Sequence, residues 1–440
     1  MNETAEEVND PAGQDSRNQT FPIPNSELPI PIFPIPNSAL PIPIFPVSQS
    51  AIPIPATRPT WAEVSISRLV DNCRLIRRHA GPGAQLMAVV KADAYGHGAI
   101  ACAQALELAD DGKLVNWFAT ALIEEAVTLR QAGIRKPILC LGGVWQGSAE
   151  AVLAHDLTPA VYDLETALAL ESHAAAAGRV LDVHLKVDTG MGRLGAPMST
   201  LPELISALAQ LKHVRVAGLW THFADADADE LSFTQHQIGR FEKALAQLRD
   251  AGIDPPLRHL SNSAGIHAFR AAGGNMVRAG ATMYGLRRDV IGPVPAFPHG
   301  LHAVSPVLSL HSRIIHLRTV PPNTPLGYGR TFVTTQTSQI ATIPVGYADG
   351  LRRALSNQGR VIVNAHAGPQ YAPMVGRVSM DLTLLDVTGI PGVRTGDEVI
   401  LLGAVDTLNI TAEDMAAQTG TISYETLTSI SARVPRIHKR

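Results

Sequence analysis

Between Gln85 and Ala279, short apolar runs alternate with segments of helical spacing, and this alternation limits the possible folds more than any other feature of the chain. The runs span residues 85–91, 117–120, 137–141, 158–162, 180–187, 214–222, 257–262 and 276–279. Ala121–Ala132, Leu164–Ala177 and Phe233–Ala251 are examples of the helical segments between them. A strand followed by a helix brings the chain back to the same sheet in the same direction, so the strands pair in parallel. Eight such units in about 220 residues fit an α/β chain with a (β/α)8 barrel of TIM type. A doubly wound open sheet satisfies the same pattern, and periodicity alone does not separate the two.

The flanking segments have a different character. Trp61–Ile66 reads as a strand, and Ser67 as the cap of a helix whose Leu69, Cys73 and Ile76 share one face. Beyond about residue 300, runs at 304–320, 339–345, 361–365, 371–387 and 398–402 are β-rich, with Gly and Pro turns between them. One helix follows them, with Thr411 and Asp414 in capping-box spacing. A mostly antiparallel β domain is expected there. At the other end, FPIPNSELPIPI (21–32) recurs as FPIPNSALPIPI (33–44) and as the degraded FPVSQSAIPIP (45–55). Proline at nearly every second position removes backbone donors and fixes φ, which leaves polyproline II as the natural state. Residues 1–20 are polar and are expected to be disordered. The chain thus divides into a Pro-rich tail (1–58), a barrel (59–300) and a C-terminal β domain (301–440).

Composition excludes several classes of partner. Charged residues make up only 17% and the formal net charge is −3, so nothing favours nucleic acid or an anionic membrane. Cys73, Cys102 and Cys140 lie far apart, which gives neither a disulfide framework nor a zinc signature and points to a reducing compartment. No apolar run has the length of a transmembrane helix, and the acidic opening MNETAEEVND lacks the basic start of a secretion signal; a cytoplasmic location is expected. His222, Asp225, Asp227 and Asp229 alternate, but they fall past a strand end where acidic residues commonly begin a helix, so no metal is expected. Walker A and H-E-x-x-H motifs are missing from the sequence.

A barrel places its chemistry at the carboxyl ends of its strands. Lys91 falls at the end of the first run, Lys186 at the fifth with Arg193 soon after, and His222 at the sixth. Asn262 and Ser263 follow the seventh, and Arg278 and Gly280 the eighth. A lysine emerging from an apolar strand is partly desolvated, which lowers its pKa and suits Schiff-base chemistry.

The motifs around these positions resemble those of alanine racemases. KADAYGHG (91–98), KVDTGMGRLG (186–195), THFADAD (221–227), SNSA (261–264) and RAGATMYG (278–285) carry the resemblance in the barrel. YGRTF (328–332), VGYADG (345–350), GRVSMD (376–381) and ISYE (422–425) carry it in the second domain. The resemblance implies an isomerase that binds pyridoxal 5′-phosphate on Lys91. Tyr95, Ser263, Tyr424 and the backbone at Gly280 would meet the phosphate, with Asn262 beside them. Arg278 would meet the pyridine nitrogen, and Arg193 the phenolic oxygen. Lys186 matches a lysine that is carbamylated in many members. Lys91 and Tyr347 would act on opposite faces of the substrate, with His222 bridging Tyr347 and Arg278. Tyr347, Met380 and Asp381 would reach the barrel of a second subunit, and the last two, with Arg193, would meet the substrate carboxylate. A homodimer interconverting L- and D-alanine for peptidoglycan is the function implied. A broad-specificity amino-acid racemase on the same scaffold is the alternative.

The repeat tail cannot build a core of its own. Deleting residues 1–55 should therefore leave the melting temperature and racemase activity nearly unchanged. Thermal melts and D-alanine formation by the two forms would check this, and a loss of activity beyond tenfold would show the repeat to be structural.

Overall fold

The computed structural model describes residues 58–145, 147–292 and 300–440. The tail expected over 1–58 lies outside the described residues except for Arg58. A first strand, β1 (Thr60–Ser65), leads directly into a helix at Ile66–Ala80. Its cap is Ser65, whose Oγ accepts from the Arg68 amide, and not Ser67 as expected from the sequence. The helix starts as soon as the strand ends, so Ser67 already lies in its first turn, with its hydroxyl paired to that of Ser65. Leu69, Cys73 and Ile76 are fully buried along one face.

Eight parallel strands follow: β2 (Gln85–Val89), β3 (Trp117–Thr120), β4 (Ile138–Cys140), β5 (Thr158–Val161), β6 (Leu181–Asp188), β7 (Val214–Trp220), β8 (Leu257–His259) and β9 (Met276–Ala279). Each pairs in parallel with the next as far as β8. β9 pairs back onto β2, with Met276 opposite Gln85. Two backbone bonds span the remaining seam, from the Asn275 amide to the Arg258 carbonyl (2.9 Å) and from the Arg278 amide to the Ser261 carbonyl (3.0 Å). An open doubly wound sheet would leave its outer strands unpaired, so the near-closed ring decides for the barrel.

The second domain is an antiparallel-rich sheet. Its strands are β10 (Leu308–Arg313), β11 (His316–Val320), β12 (Ser338–Ile343), β13 (Arg360–Ala365), β14 (Gly368–Val375), β15 (Thr383–Asp386), β16 (Glu398–Val405), β17 (Leu408–Ile410) and β18 (Arg436–Lys439). The spatial order is β11-β12-β15-β14-β13-β16-β10-β1-β18, with β17 paired to β16. The run 304–320 is two strands, and the run 371–387 is split by the loop that carries Met380 and Asp381. β1 precedes the barrel in sequence yet pairs in this sheet, antiparallel to β10 and parallel to β18. The start and end of the described fold therefore lie side by side.

The capping box expected at Thr411 forms. Thr411 Oγ1 accepts from the Asp414 amide (3.0 Å), and the Asp414 carboxylate accepts from the Thr411 amide (3.1 Å). Thr411→Ala should lower stability by about 1 kcal/mol, read as a shift of the urea midpoint with little change in slope.

Candidate active site

Burial at the carboxyl end of the barrel is incomplete, and the gap is a cavity of roughly 490 Å³. Lys91, Tyr95, Lys186, Arg193, His222, Asn262, Ser263, Arg278, Gly280 and Tyr424 all line it. Four of these are cationic side chains, and Asp227 is the one acidic lining residue, itself exposed. Such a cavity attracts an anion.

Arg278 leaves β9 inside the barrel and is buried. Its guanidinium donates to the carbonyls of Thr221 (2.7 Å), His259 (2.9 Å) and Leu260 (2.9 Å). It also meets the Nδ1 atoms of His259 (3.1 Å) and His222 (3.3 Å). A guanidinium only donates, so both Nδ1 atoms accept and both imidazoles carry their proton on Nε2. His259 Nε2 then donates to His184 Nδ1 at 3.0 Å. Among the described residues no carboxylate pairs with Arg278, and burial pulls its pKa down to about 9. His222 and His259 are pushed well below the ordinary histidine value, first by burial and then by neighbouring charged and imidazole groups, Arg278 among them. They are neutral near neutral pH.

Lys91 follows the buried residues Val89 and Val90. Its pKa is lowered mainly by burial and then by Arg193, against an opposing pull from Glu125. Immediately after it, Ala92, Asp93, Ala94 and Tyr95 all adopt left-handed backbone, with φ between 50° and 55°. This turn brings Tyr95 under the cavity, beside Gly280 and Ser263. A Cβ on Gly280 would stand 2.8 Å from the Tyr95 hydroxyl, so only glycine leaves the cradle open. Ser263 Oγ accepts from the Gly280 amide (3.2 Å) and from the Thr282 hydroxyl (3.2 Å). Asn262 caps the helix Ser263–Phe269, its side chain accepting from the Gly265 amide at 2.9 Å. Lys186 Nζ lies over the Trp220 ring, 4.3 Å from its centroid.

Tyr347, Met380 and Asp381 are not at this cavity. They are grouped elsewhere, on exposed ground of the second domain: the Tyr347 amide bonds the Ser379 carbonyl (3.0 Å) and the Ala348 amide bonds that of Met380 (3.0 Å). Asp381 is paired with Arg433 at 2.7 Å. Tyr347 is 43% exposed, so its phenol is free to meet another surface.

Against known proteins, the alanine racemase N-terminal domain matches residues 64–288 and the alanine racemase C-terminal domain matches residues 307–438. The chain belongs to the alanine racemase family. An alanine racemase of Halothermothrix orenii is 44% identical over 385 residues, covering 87% of this chain and 97% of that protein. The structure of alanine racemase from Streptomyces coelicolor superposes with a TM-score of 0.80 at 35% identity, over 87% of this chain and 98% of the other. That of Bartonella henselae, described with covalently bound pyridoxal phosphate, gives 0.76 at 29% identity, over 87% and 99%. Members of this family are isomerases, and membership supports alanine racemisation. No helix among the described residues is long and apolar enough to cross a membrane.

Several site residues escaped the motif reading. His184 and His259 extend the Arg278 network, Trp220 floors the cavity, and Glu125 accepts from the Ala92 amide at 2.6 Å. His184 had a signal available, since it shares a strand face with Lys186 two residues on.

Lys186 offers a pH test. Its pKa falls to about 8 through burial first, then through Arg193 and Arg278. Folding disfavours the charged amine, so stability is lost as pH falls from the ordinary value of 10.5 to about 8 and is recovered as pH rises. Lys186→Met removes this dependence. In carbon-dioxide-free buffer, its stability relative to the parent should be most favourable near neutral pH and should decline toward about pH 10. Denaturant midpoints at both pH values would show it, and a difference independent of pH would refute it.

Proposed function

We propose that this chain interconverts L- and D-alanine with pyridoxal 5′-phosphate held in the barrel cavity. The residues present fit the cofactor. A lysine with a lowered pKa suits an aldehyde, and a cationic cavity suits a phosphate. The Gly280 cradle leaves room against Tyr95 and Ser263, and Arg278 offers a donor that is not neutralised by an acid. Lys91 would carry the cofactor covalently. Tyr95, Ser263, Gly280 and Tyr424 would hold its phosphate, with Asn262 setting the adjoining helix start. Arg193 would meet the phenolic oxygen and Arg278 the ring nitrogen. When bound, the cofactor supplies an electron-withdrawing ring that acidifies the α-proton of alanine.

The observation that carries the mechanism is the separation of Lys91 from Tyr347. Racemisation needs a proton acceptor on one face of the substrate and a donor on the other. The cavity supplies Lys91 on one face. Tyr347 lies outside it, half-exposed and grouped with Met380 and Asp381. We infer a homodimer in which Tyr347 of the partner subunit enters the cavity from the second face. Met380 and Asp381 come with it, and with Arg193 they meet the substrate carboxylate. His222, neutral and hydrogen-bonded to Arg278, holds an Nε2 proton with which to support the phenol. Arg278 keeps its own proton near neutral pH, so it binds the ring nitrogen without giving a proton to it. Tyr424 and Tyr347 narrow the entrance to about a methyl group.

Lys186 is the residue we assign to carbamylation. A pKa near 8 leaves a useful fraction of neutral amine. That nitrogen adds carbon dioxide and releases a proton, and the resulting anion orients Arg193. The D-alanine formed in the cytoplasm supplies peptidoglycan.

Borohydride should fix the cofactor to Lys91 in the parent and fix none in Lys91→Ala. Tyr347→Phe should retain the cofactor yet lose racemisation by about 10²- to 10⁴-fold. In deuterated water it should still exchange the α-proton of D-alanine through Lys91, and that of L-alanine far less. Mixing the two variants should restore activity at one of the two sites of each heterodimer. Equal exchange of both enantiomers would dismiss the two-face arrangement, and failure to rescue would dismiss the shared site.

A further inference from the structure

The left-handed turn after Lys91 is the most strained backbone near the site. An L-residue in this conformation costs about 1–2 kcal/mol, and it is rarely adopted by several residues in a row. Here four consecutive non-glycine residues, Ala92 to Tyr95, adopt it. Strain of this kind persists only where the surroundings over-determine it. The amide of Ala92 is taken by Glu125 (2.6 Å), and Asp93 accepts from the Ala99 amide (2.7 Å). Those contacts are local to the barrel. The Asp93 and Ala94 carbonyls accept from the Gly98 and His97 amides (2.9 and 3.1 Å), while the carbonyls of Tyr95, Gly96 and His97 take their donors from side chains.

The side-chain donors come from the adjoining segment and from the other domain. His97, fully buried, meets the carbonyls of Ala94 (2.9 Å) and Tyr95 (3.0 Å) through Nδ1. The next two carbonyls are met by the last strand of the other domain, that of His97 also accepting from the Cys102 thiol at 3.7 Å. Arg436 Nε donates to the Gly96 carbonyl at 3.1 Å, and His438 Nε2 meets that of His97 at 2.8 Å. The approach is close: a Cβ on Gly98 would stand 2.8 Å from His438 Nε2. Arg436 is itself fixed, since its terminal nitrogens donate to the carbonyls of Ile430, Ser431 and Val434. β18 is held in register by its parallel pairing with β1, Val64 lying opposite His438.

We propose that Arg436 and His438 are positioning residues for the cofactor lysine: from β18 they cap the left-handed turn and so hold Lys91 and Tyr95 in their places at the cavity. Neither touches the cavity. The inference rests on the proposed role of Lys91, but the turn can be probed without the cofactor.

The test uses the full chain with His438→Ala, His438→Gln and His438→Asn. Glutamine places an N–H close to the position of the imidazole Nε2, whereas asparagine is too short. Three amides report the turn, because those of Ala94, His97 and Gly98 bond the carbonyls of Val90, Ala94 and Asp93. Hydrogen exchange of the segment 92–98 should quicken about tenfold in the alanine and asparagine variants and return toward the parent rate in the glutamine variant. Titration with pyridoxal 5′-phosphate should show affinity weakened about tenfold in the same two variants and restored by glutamine. The melting temperature should move by no more than a few degrees in all three. A merely structural residue would lower the melting temperature without this separation. Parent-like exchange and affinity in folded His438→Ala would overturn the proposal, and if that variant does not fold, the asparagine variant decides in the same way. A parent protein that does not bind the cofactor would sink the functional reading, while the exchange measurement would still decide the clamp.

Discussion

A guanidinium inside a barrel costs several kcal/mol unless its donors are met, and the way Arg278 is met sets the character of the whole site. The last residue pair of β7 and β8 is Trp220 with His259. Past that point one backbone bond remains, from the Thr221 amide to the His259 carbonyl (3.3 Å), and the carbonyls of His259, Leu260 and Thr221 turn toward Arg278. The end of strand pairing thus creates acceptors that a donor-only side chain can use. Because those acceptors are neutral, the charge of Arg278 remains as a field in the cavity. Two imidazoles, those of buried His259 and half-buried His222, are held neutral beside it, and Lys186 is drawn toward neutrality with them.

The second domain contributes in two directions. Toward the barrel of its own chain it offers Tyr424 as a cavity wall, and Arg436 with His438 as caps. Away from it stands the loop of Tyr347, whose backbone is rigid although its ring is exposed. Buried Asp349 accepts from the Gly346 amide at 3.0 Å and is paired with Arg58 at 2.8 Å. In the proposed dimer, a loop held this way would present the exposed Tyr347 phenol to the neighbouring site with little backbone freedom left to lose.

Much of this was legible in the sequence. The barrel strands were readable because each is a short, largely apolar or alternating run between helical segments, and the Thr411–Asp414 box because a cap depends on residues three apart. The cavity residues were readable from their place at strand ends and from their motifs. What escaped depends on contacts distant in sequence. The helix cap moved from Ser67 to Ser65 because β1 runs straight into the helix, a boundary set by pairing with β10 some 250 residues later. The expected barrel bounds of 59–300 take in β1, and its place in the other sheet follows from the same long-range pairing.

The left-handed turn is the sharpest case. Apart from Asp93, whose residue type tolerates left-handed backbone, nothing in the segment KADAYGHG favours it at Ala92, Ala94 and Tyr95, and its glycines fall after them. Local preference and observed geometry disagree here, as they tend to do where function is served. The disagreement is resolved by donors 340 and 341 positions away, beside the local donor His97 and the acceptor Glu125. The placement of Lys91 is therefore a property of the assembled chain. The strand that delivers it belongs to the barrel, but the turn that aims it is completed only when the last strand has joined the second sheet.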